Sequence, residues 1–257
     1  MEIIKSFSNG VFELRLNRPE VFNSFNKNMA LAFQDALDEC EKNDEVRVVL
    51  ITGEGKAFCA GQDLSEAIDP DGPELSHIVE KHYNPIIERI RNIEKPIIAA
   101  VNGVAAGAGA NIALACDITI AKKSASFIQA FSKIGLIPDS GGTFFLPRII
   151  GVQKALALMM TGDKVTAEEA EKMNMIYKVV EDDLFDSEVS AFVQKIAIMP
   201  TKGLGLTKKV VNQSFTNNLS QQLELERKLQ TEAGETYDFN EGVNAFIEKR
   251  KPVFIGK

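Results

Sequence analysis

Residues Ile3–Leu16 (IIKSFSNGVFELRL) alternate apolar and polar side chains on either side of Asn9-Gly10, and the run ends before Pro19. That dipeptide suits a two-residue hairpin turn, so the chain is expected to open as an antiparallel pair. From Asn26 to Asp44 the apolar residues Met29, Phe33, Leu37 and Cys40 recur at helical spacing, and the continuous run VRVVLITG follows as a buried strand. Helix then strand repeats: His77–Glu94 reads as helix, Pro96–Val101 as strand, Gly107–Cys116 as a helix of small residues and Asp117–Ala121 as strand. Strands this short, with no polar face, belong to sheets covered on both sides, which predicts an α/β fold. Beyond Gly141-Gly142 the pattern changes to four or five helical segments, with only Ile176–Val180 reading as a strand and Thr166–Glu169 as a capping box. From Pro200 onward the chain reads as helical to its tail, and between Gln222 and Gln230 only Leu223, Leu225 and Leu229 are apolar. We therefore divide it into a core, residues 1–200, and a helical region, residues 201–257, which packs either on a neighbouring subunit or on its own core.

Composition adds mostly exclusions. A chain of 257 residues that is 45% hydrophobic can bury a full core. With 36 acidic against 29 basic residues, its net charge of −7 argues against a nucleic-acid partner, although local basic groups could bind a small phosphorylated ligand. Cys40, Cys59 and Cys116 are odd in number and widely spaced, as buried small hydrophobes are; they suggest neither a disulfide framework nor a metal cluster. His77 and His82 stand at i, i+5, off the common face that an i, i+4 ligand pair would share, so no metal site is expected. No apolar stretch approaches the roughly 20 residues of a spanning helix, and the first residues lack the apolar core of a signal peptide. A cytoplasmic location without membrane association is the expectation.

Two segments have a strand, a tight turn of small residues and then a helix: Ala57–Leu64 (AFCAGQDL) and Val101–Asn111 (VNGVAAGAGAN). Small residues allow close backbone approach, and the first turn of a helix presents N–H groups without internal partners. Two such turns facing each other would form an oxyanion hole made of main-chain donors. A third segment, IGLIPDSGGTFFLPR, sets Asp139 among apolar residues. Desolvation there would raise its pKa toward a useful acid/base value. Alternatively, Asp139 caps the helix beginning at Gly141.

LNRPEVFNSFN, FCAGQDL, AVNGVAAGAGANIALACD and IGLIPDSGGT, in this order, closely resemble the enoyl-CoA hydratase/isomerase (crotonase) superfamily over the whole chain. The resemblance implies a spiral of ββα units with a helical C-terminal trimerisation region, assembled as a trimer or a dimer of trimers. It also implies an acyl-CoA substrate, with coenzyme A entering as part of the substrate and no separate cofactor. The thioester carbonyl would sit between the N–H groups of Gln62 and Ala108, and Ala60, Gln62, Asp63 and Leu64 would run beside the CoA moiety, unless Asp63 is only a helix cap. Where hydratases carry two glutamates, this chain has Asn111 and Phe131. Neither transfers a proton, and hydration requires both a base for water and an acid for carbon. Asn111 either contacts substrate or satisfies a buried backbone group; Phe131, Phe144 and Phe145 either line an acyl pocket or belong to the core. The solitary Asp139 suits isomerisation, in which one carboxylate takes a proton and returns it elsewhere.

Within the superfamily, VAAGAGANIALACDI and KHYNPIIERIRNIEKPIIAAVNG look most like the 1,2-epoxyphenylacetyl-CoA isomerases of phenylacetate degradation, in which the aspartate of the PD(S/C)GGT motif is the acid/base. That likeness implies conversion of a ring-epoxide CoA ester to oxepin-CoA, 3-enoyl-CoA to 2-enoyl-CoA isomerisation, or both. The alternatives are hydratase-like or aryl-CoA dehalogenase-like chemistry on the same scaffold, or a non-catalytic member that binds CoA esters or RNA.

Overall fold

A computed structural model describes all 257 residues. Strands β1 (Ile3–Ser8) and β2 (Val11–Leu16) form the expected antiparallel hairpin, with Asn9 and Gly10 both in left-handed conformations. Helix α1 spans Lys27–Lys42; the Asn26 side chain caps it by accepting from the Met29 N–H, and Met29, Phe33, Leu37 and Cys40 are all fully buried. Strand β3 (Val48–Gly53), β4 (Ala57–Cys59) and the short helix α2 (Leu64–Ala67) follow. One continuous helical stretch then runs through α3 (Leu75–His77), a π-turn over Ile78–Tyr83 and α4 (Asn84–Asn92). Next come β5 (Ile97–Val101), β6 (Val104–Ala106), α5 (Ala108–Ala115), β7 (Ile118–Lys122) and β8 (Ser126–Ile128).

β3, β5 and β7 each enter one sheet, and the strand that follows each enters a second, so the core is a spiral of two-strand turns. The six-stranded sheet has the order β1-β2-β3-β5-β7-β10, where β10 is Lys178–Val180, and is parallel apart from the β1–β2 hairpin. The four-stranded sheet has the order β4-β6-β8-β9, parallel until β9 (Lys164–Thr166) reverses direction. β3 and β5 are buried along their whole length, as their unbroken apolar sequence requires. The main core fills the space between these sheets and α1, α4 and α5.

After Gly141 the chain forms α6 (Gly142–Ile150), α7 (Val152–Thr161), β9 (Lys164–Thr166), α8 (Ala167–Lys172), β10 (Lys178–Val180) and α9 (Phe185–Ala197). The tail comprises α10 (Thr201–Ser214), α11 (Leu219–Gly234) and α12 (Tyr237–Glu248). Seven helices and two strands thus replace the expected four or five helices and single strand. β9 spans three residues, too few to show a period, and Gly151 and Gly162 break what reads as longer helical stretches. The Thr166 capping box is formed. A second, smaller core lies under α9 on the outer face of the six-stranded sheet.

The expectation for the histidines is overturned. Hydrogen bonds of a π-turn span five residues, which brings i and i+5 to one face, and the rings of His77 and His82 meet edge to face with centroids 5.7 Å apart. No three His, Cys, Asp or Glu side chains come together in a metal-holding arrangement, and no helix is long and apolar enough to cross a membrane.

Candidate active site

The first turn leaves β4 at Ala60 and enters α2 at Leu64. Phe25 donates its N–H to Gly61 O and accepts from the Asp63 N–H, clamping the turn on both sides of Gln62. The Gln62 N–H between them meets no protein acceptor. Gly61 has φ +96°, and a Cβ on it would stand 3.0 Å from Ala106 O and 3.4 Å from Ala108 N. Glycine therefore lets the first turn lie directly against the second. The second turn leaves β6 through Gly107, whose φ of 53° and ψ of −128° exclude ordinary side chains, and whose N–H is fixed to Ile128 O. Ala108 opens α5, so its N–H belongs to the helix turn that has no internal acceptor, and it bonds to nothing else in the protein. Two unpartnered backbone donors thus stand on abutting turns, one of them at a positive helix end.

Asp139 lies between a 3₁₀ turn over Ala130–Ile134 and α6. Ser140 and Gly141 are both left-handed, with φ 50° and 72°. α6 is preceded by Gly141 and carries no side-chain cap, so Asp139 does not serve as the helix cap. Its backbone oxygen accepts from the Gly142 N–H, while its carboxylate accepts from the Ser140 hydroxyl at 2.9 Å. Burial pushes the carboxyl up from 3.8 to about 6, with the Ser140 hydroxyl and Asp139's own backbone N–H pulling the other way.

Asn111, one turn beyond Ala108 on α5, is fully buried. Its Nδ2 donates to Asp139 O at 2.9 Å and its Oδ1 accepts from Gln129 Nε2 at 2.8 Å. The amide thereby satisfies a buried backbone group and ties the Asp139 turn to the helix that starts at Ala108. Phe131 is buried behind the second turn, its ring tip 3.9 Å from where a Gly107 Cβ would sit. Phe145 is buried in the main core. Phe144 is partly exposed and instead meets Phe215, the residue just after α10, edge to face, with the Arg148 guanidinium 3.8 Å over its ring. Asp63 is the cap of α2: Oδ1 accepts from the Ser65 N–H and hydroxyl, and Oδ2 pairs with Arg18 at 2.9 Å. Ala60 and Leu64 are exposed on the outer side of that turn.

Tyr83 and Gln129 are site neighbours that sequence reasoning passed over. The Tyr83 hydroxyl donates to Gln62 Oε1 at 2.7 Å. The available signal was a tyrosine two residues before Pro85 in an otherwise regular amphipathic helix. A cleft of about 830 Å³ lies elsewhere, on the outer face of the six-stranded sheet beside Arg15, Thr52, Asn102 and Phe185, and contains none of these residues.

The chain is similar to known proteins along nearly its whole length. The sequence model of the family described as Enoyl-CoA hydratase/isomerase matches residues 6–257. The chain is 47% identical to the 1,2-epoxyphenylacetyl-CoA isomerase of Escherichia coli (strain K12), with 99% of this chain and 98% of that protein covered. It is 42% identical to a probable enoyl-CoA hydratase of Rhodobacter capsulatus, covering 97% of this chain and 96% of the relative. Among solved structures, a putative enoyl-CoA hydratase/isomerase from Mycobacterium abscessus superposes with a TM-score of 0.93 at 33% identity, over 99% of this chain and 100% of that one.

Proposed function

This chain belongs to the enoyl-CoA hydratase/isomerase family, and we propose that within it the protein is a CoA-thioester isomerase that works with one carboxylate. In this reading the Gln62 and Ala108 N–H groups hold the thioester oxygen, and Asp139 moves the proton. With a 3-enoyl-CoA, the Asp139 carboxylate takes a proton from C2, the electron pair delocalises onto the thioester oxygen as a dienolate, and the carboxylic acid returns the proton to C4. The C3–C4 double bond becomes C2–C3, no water is added and no electron leaves, so the reaction needs no cofactor beyond the CoA of the substrate. The two N–H groups act where charge develops, which is where fixed donors accelerate a reaction most. The likeness to a relative named 1,2-epoxyphenylacetyl-CoA isomerase supports a second substrate in this reading, a ring-epoxide phenylacetyl-CoA converted to oxepin-CoA.

One observation carries the choice of isomerisation over hydration: Asp139 is the only carboxylate near the two turns that is not otherwise committed. The positions that hold glutamates in hydratases are Asn111, with both sides of its amide bonded, and Phe131. Asp63 caps α2 and pairs with Arg18, and Glu66 accepts from the Lys27 N–H and from Gln62 Nε2. Incubation with 3-enoyl-CoA and 2-enoyl-CoA esters tests the reading. Movement of the double bond without hydration is expected; formation of 3-hydroxyacyl-CoA from the 2-enoyl ester as the faster reaction would overturn it.

A pH profile follows from the same carboxyl. Its ionised form is the base, so kcat/KM should fall about tenfold per pH unit below about 6 and level off above it. Steady-state rates between pH 5 and 8 would check this, and a profile flat through pH 6 would speak against Asp139 as the base. In this reading residues 201–257 also carry the subunit contacts of a trimer or dimer of trimers, a role supported by the largely exposed Leu219, Phe246 and Ile247.

A further inference from the structure

The π-turn at Ile78–Tyr83 has a cause in the sequence and a consequence at the first oxyanion turn. Pro85 has no N–H to give to Lys81 O, the acceptor that a regular α-helix would require of it. Gln34 of α1 supplies the missing donor: its Nε2 bonds to Lys81 O at 2.8 Å and to His82 O at 3.2 Å. The Asn84 N–H reaches back five residues to Val79 O, which widens the helix by one residue at this point. Tyr83, the last residue of the turn, is fully buried, with its ring packed against Phe25.

The Tyr83 hydroxyl donates to Gln62 Oε1 at 2.7 Å, and Gln62 Nε2 donates in turn to Asp63 O at 3.3 Å and Glu66 Oε2 at 3.1 Å. Both ends of the Gln62 carboxamide are therefore held while its backbone N–H stays free. A glutamine side chain fixed at its far end restricts its own Cα–Cβ direction, and with it the plane of the peptide that carries this N–H. Burial keeps the phenol protonated, assisted by the surrounding Cys59, Asp139, Glu66 and Asp63, so its one proton stays committed to Gln62. An oxyanion donor must lie within about 2.7–3.1 Å of the developing charge, and small displacements are costly.

We propose that Tyr83 is a positioning residue that, through the Gln62 carboxamide, sets the direction of the first oxyanion-hole N–H. The proposal rests on the reading of Gln62 as a thioester donor. Tyr83→Phe keeps the ring and its contact with Phe25 and removes only the hydroxyl. It should lower kcat by about tenfold, the worth of one buried hydrogen bond, with KM within about twofold and the melting temperature nearly unchanged. Cinnamoyl-CoA, whose conjugated chromophore shifts to the red when its carbonyl is polarised, reads the hole directly. The wild type should shift this absorption, and Tyr83→Phe should shift it less.

Gln62→Met, which removes the acceptor and leaves Tyr83 intact, should reproduce both losses, and the double variant should be no worse than either single one. Wild-type kcat and red shift in Tyr83→Phe would overturn the proposal. So would losses that add in the double variant, or a fall in kcat that accompanies a lower melting temperature with the red shift preserved. A wild-type enzyme that turns over but leaves cinnamoyl-CoA unshifted would overturn the oxyanion assignment itself, and the role of Tyr83 with it.

Discussion

Replacing Asp139 with asparagine should slow isomerisation by about a hundred- to ten-thousandfold, leave affinity for an unreactive acyl-CoA within a few-fold, and stabilise the protein at pH 8. The three effects have separate physical origins. The loss of rate follows because an amide cannot accept the C2 proton, while its Oδ1 can still accept from the Ser140 hydroxyl; the tie from Asn111 runs to the backbone and is untouched. Affinity survives because the donors read as binding the thioester are backbone groups on other turns. The gain in stability comes from the raised carboxyl: with a folded value of about 6 against 3.8, Asp139 favours the folded state when protonated, and that advantage is lost as pH rises through 6. Above that pH the ionised group costs at most about 3 kcal/mol, less whatever solvent reaches its partly exposed edge. Calorimetry should therefore find Asp139→Asn more stable than wild type at pH 8 and indistinguishable from it near pH 4. Turnover close to wild type would sink the catalytic assignment, and transfer of solvent ¹⁸O into Asp139 during turnover of an aryl-CoA would move its role to nucleophile.

How far the sequence reveals this site depends on the length of the signal. The hairpin at Asn9-Gly10, the four-residue stripe of α1 and the apolar runs of β3 and β5 each span a full period or more, and each takes the expected form. β4, β6, β8 and β9 have three residues apiece, and a period cannot be read from three, so local pattern gives no hint of the second sheet. Only the family resemblance does. The same contrast divides the site. The small-residue turns at Gly61 and Gly107 are visible as composition, but the contact between them joins residues more than forty apart. Asp139 before Ser140-Gly141 is locally indistinguishable from a capping aspartate, and the left-handed Ser140 and Gly141 are what detach it from α6. The histidine spacing misled because it presumes 3.6 residues per turn, which Pro85 and Gln34 locally change.

Gly109→Ala should strongly damage the site's scaffold through a single added methyl. In a free helix, alanine is better than glycine by about 1 kcal/mol. At Gly109, however, the added Cβ would stand 2.4 Å from Cys59 O and 2.6 Å and 2.7 Å from Cys59 Cβ and Sγ. The first of these atoms is backbone of β4, and Cys59 is itself fully buried, so nothing there is a flexible side-chain end that can swing away. Relief requires α5 to move off β4, at a cost of about 1–3 kcal/mol or more, which outweighs the gain in propensity. Movement of that helix end carries the Ala108 N–H away from the Gln62 N–H, and a displacement of about 1 Å is enough to cost about a hundredfold in rate. Gly234, the last residue of α11, has no atom within 4 Å of its hypothetical Cβ, so Gly234→Ala serves as the matched control and should be neutral or slightly stabilising. Thermal melts and isomerisation rates of the two variants side by side give the test. Wild-type rate in a folded Gly109→Ala protein would mean that the close approach of α5 to β4 does not set the oxyanion geometry; a low rate persisting well below its melting temperature would locate the defect in the position of the Ala108 N–H rather than in loss of fold.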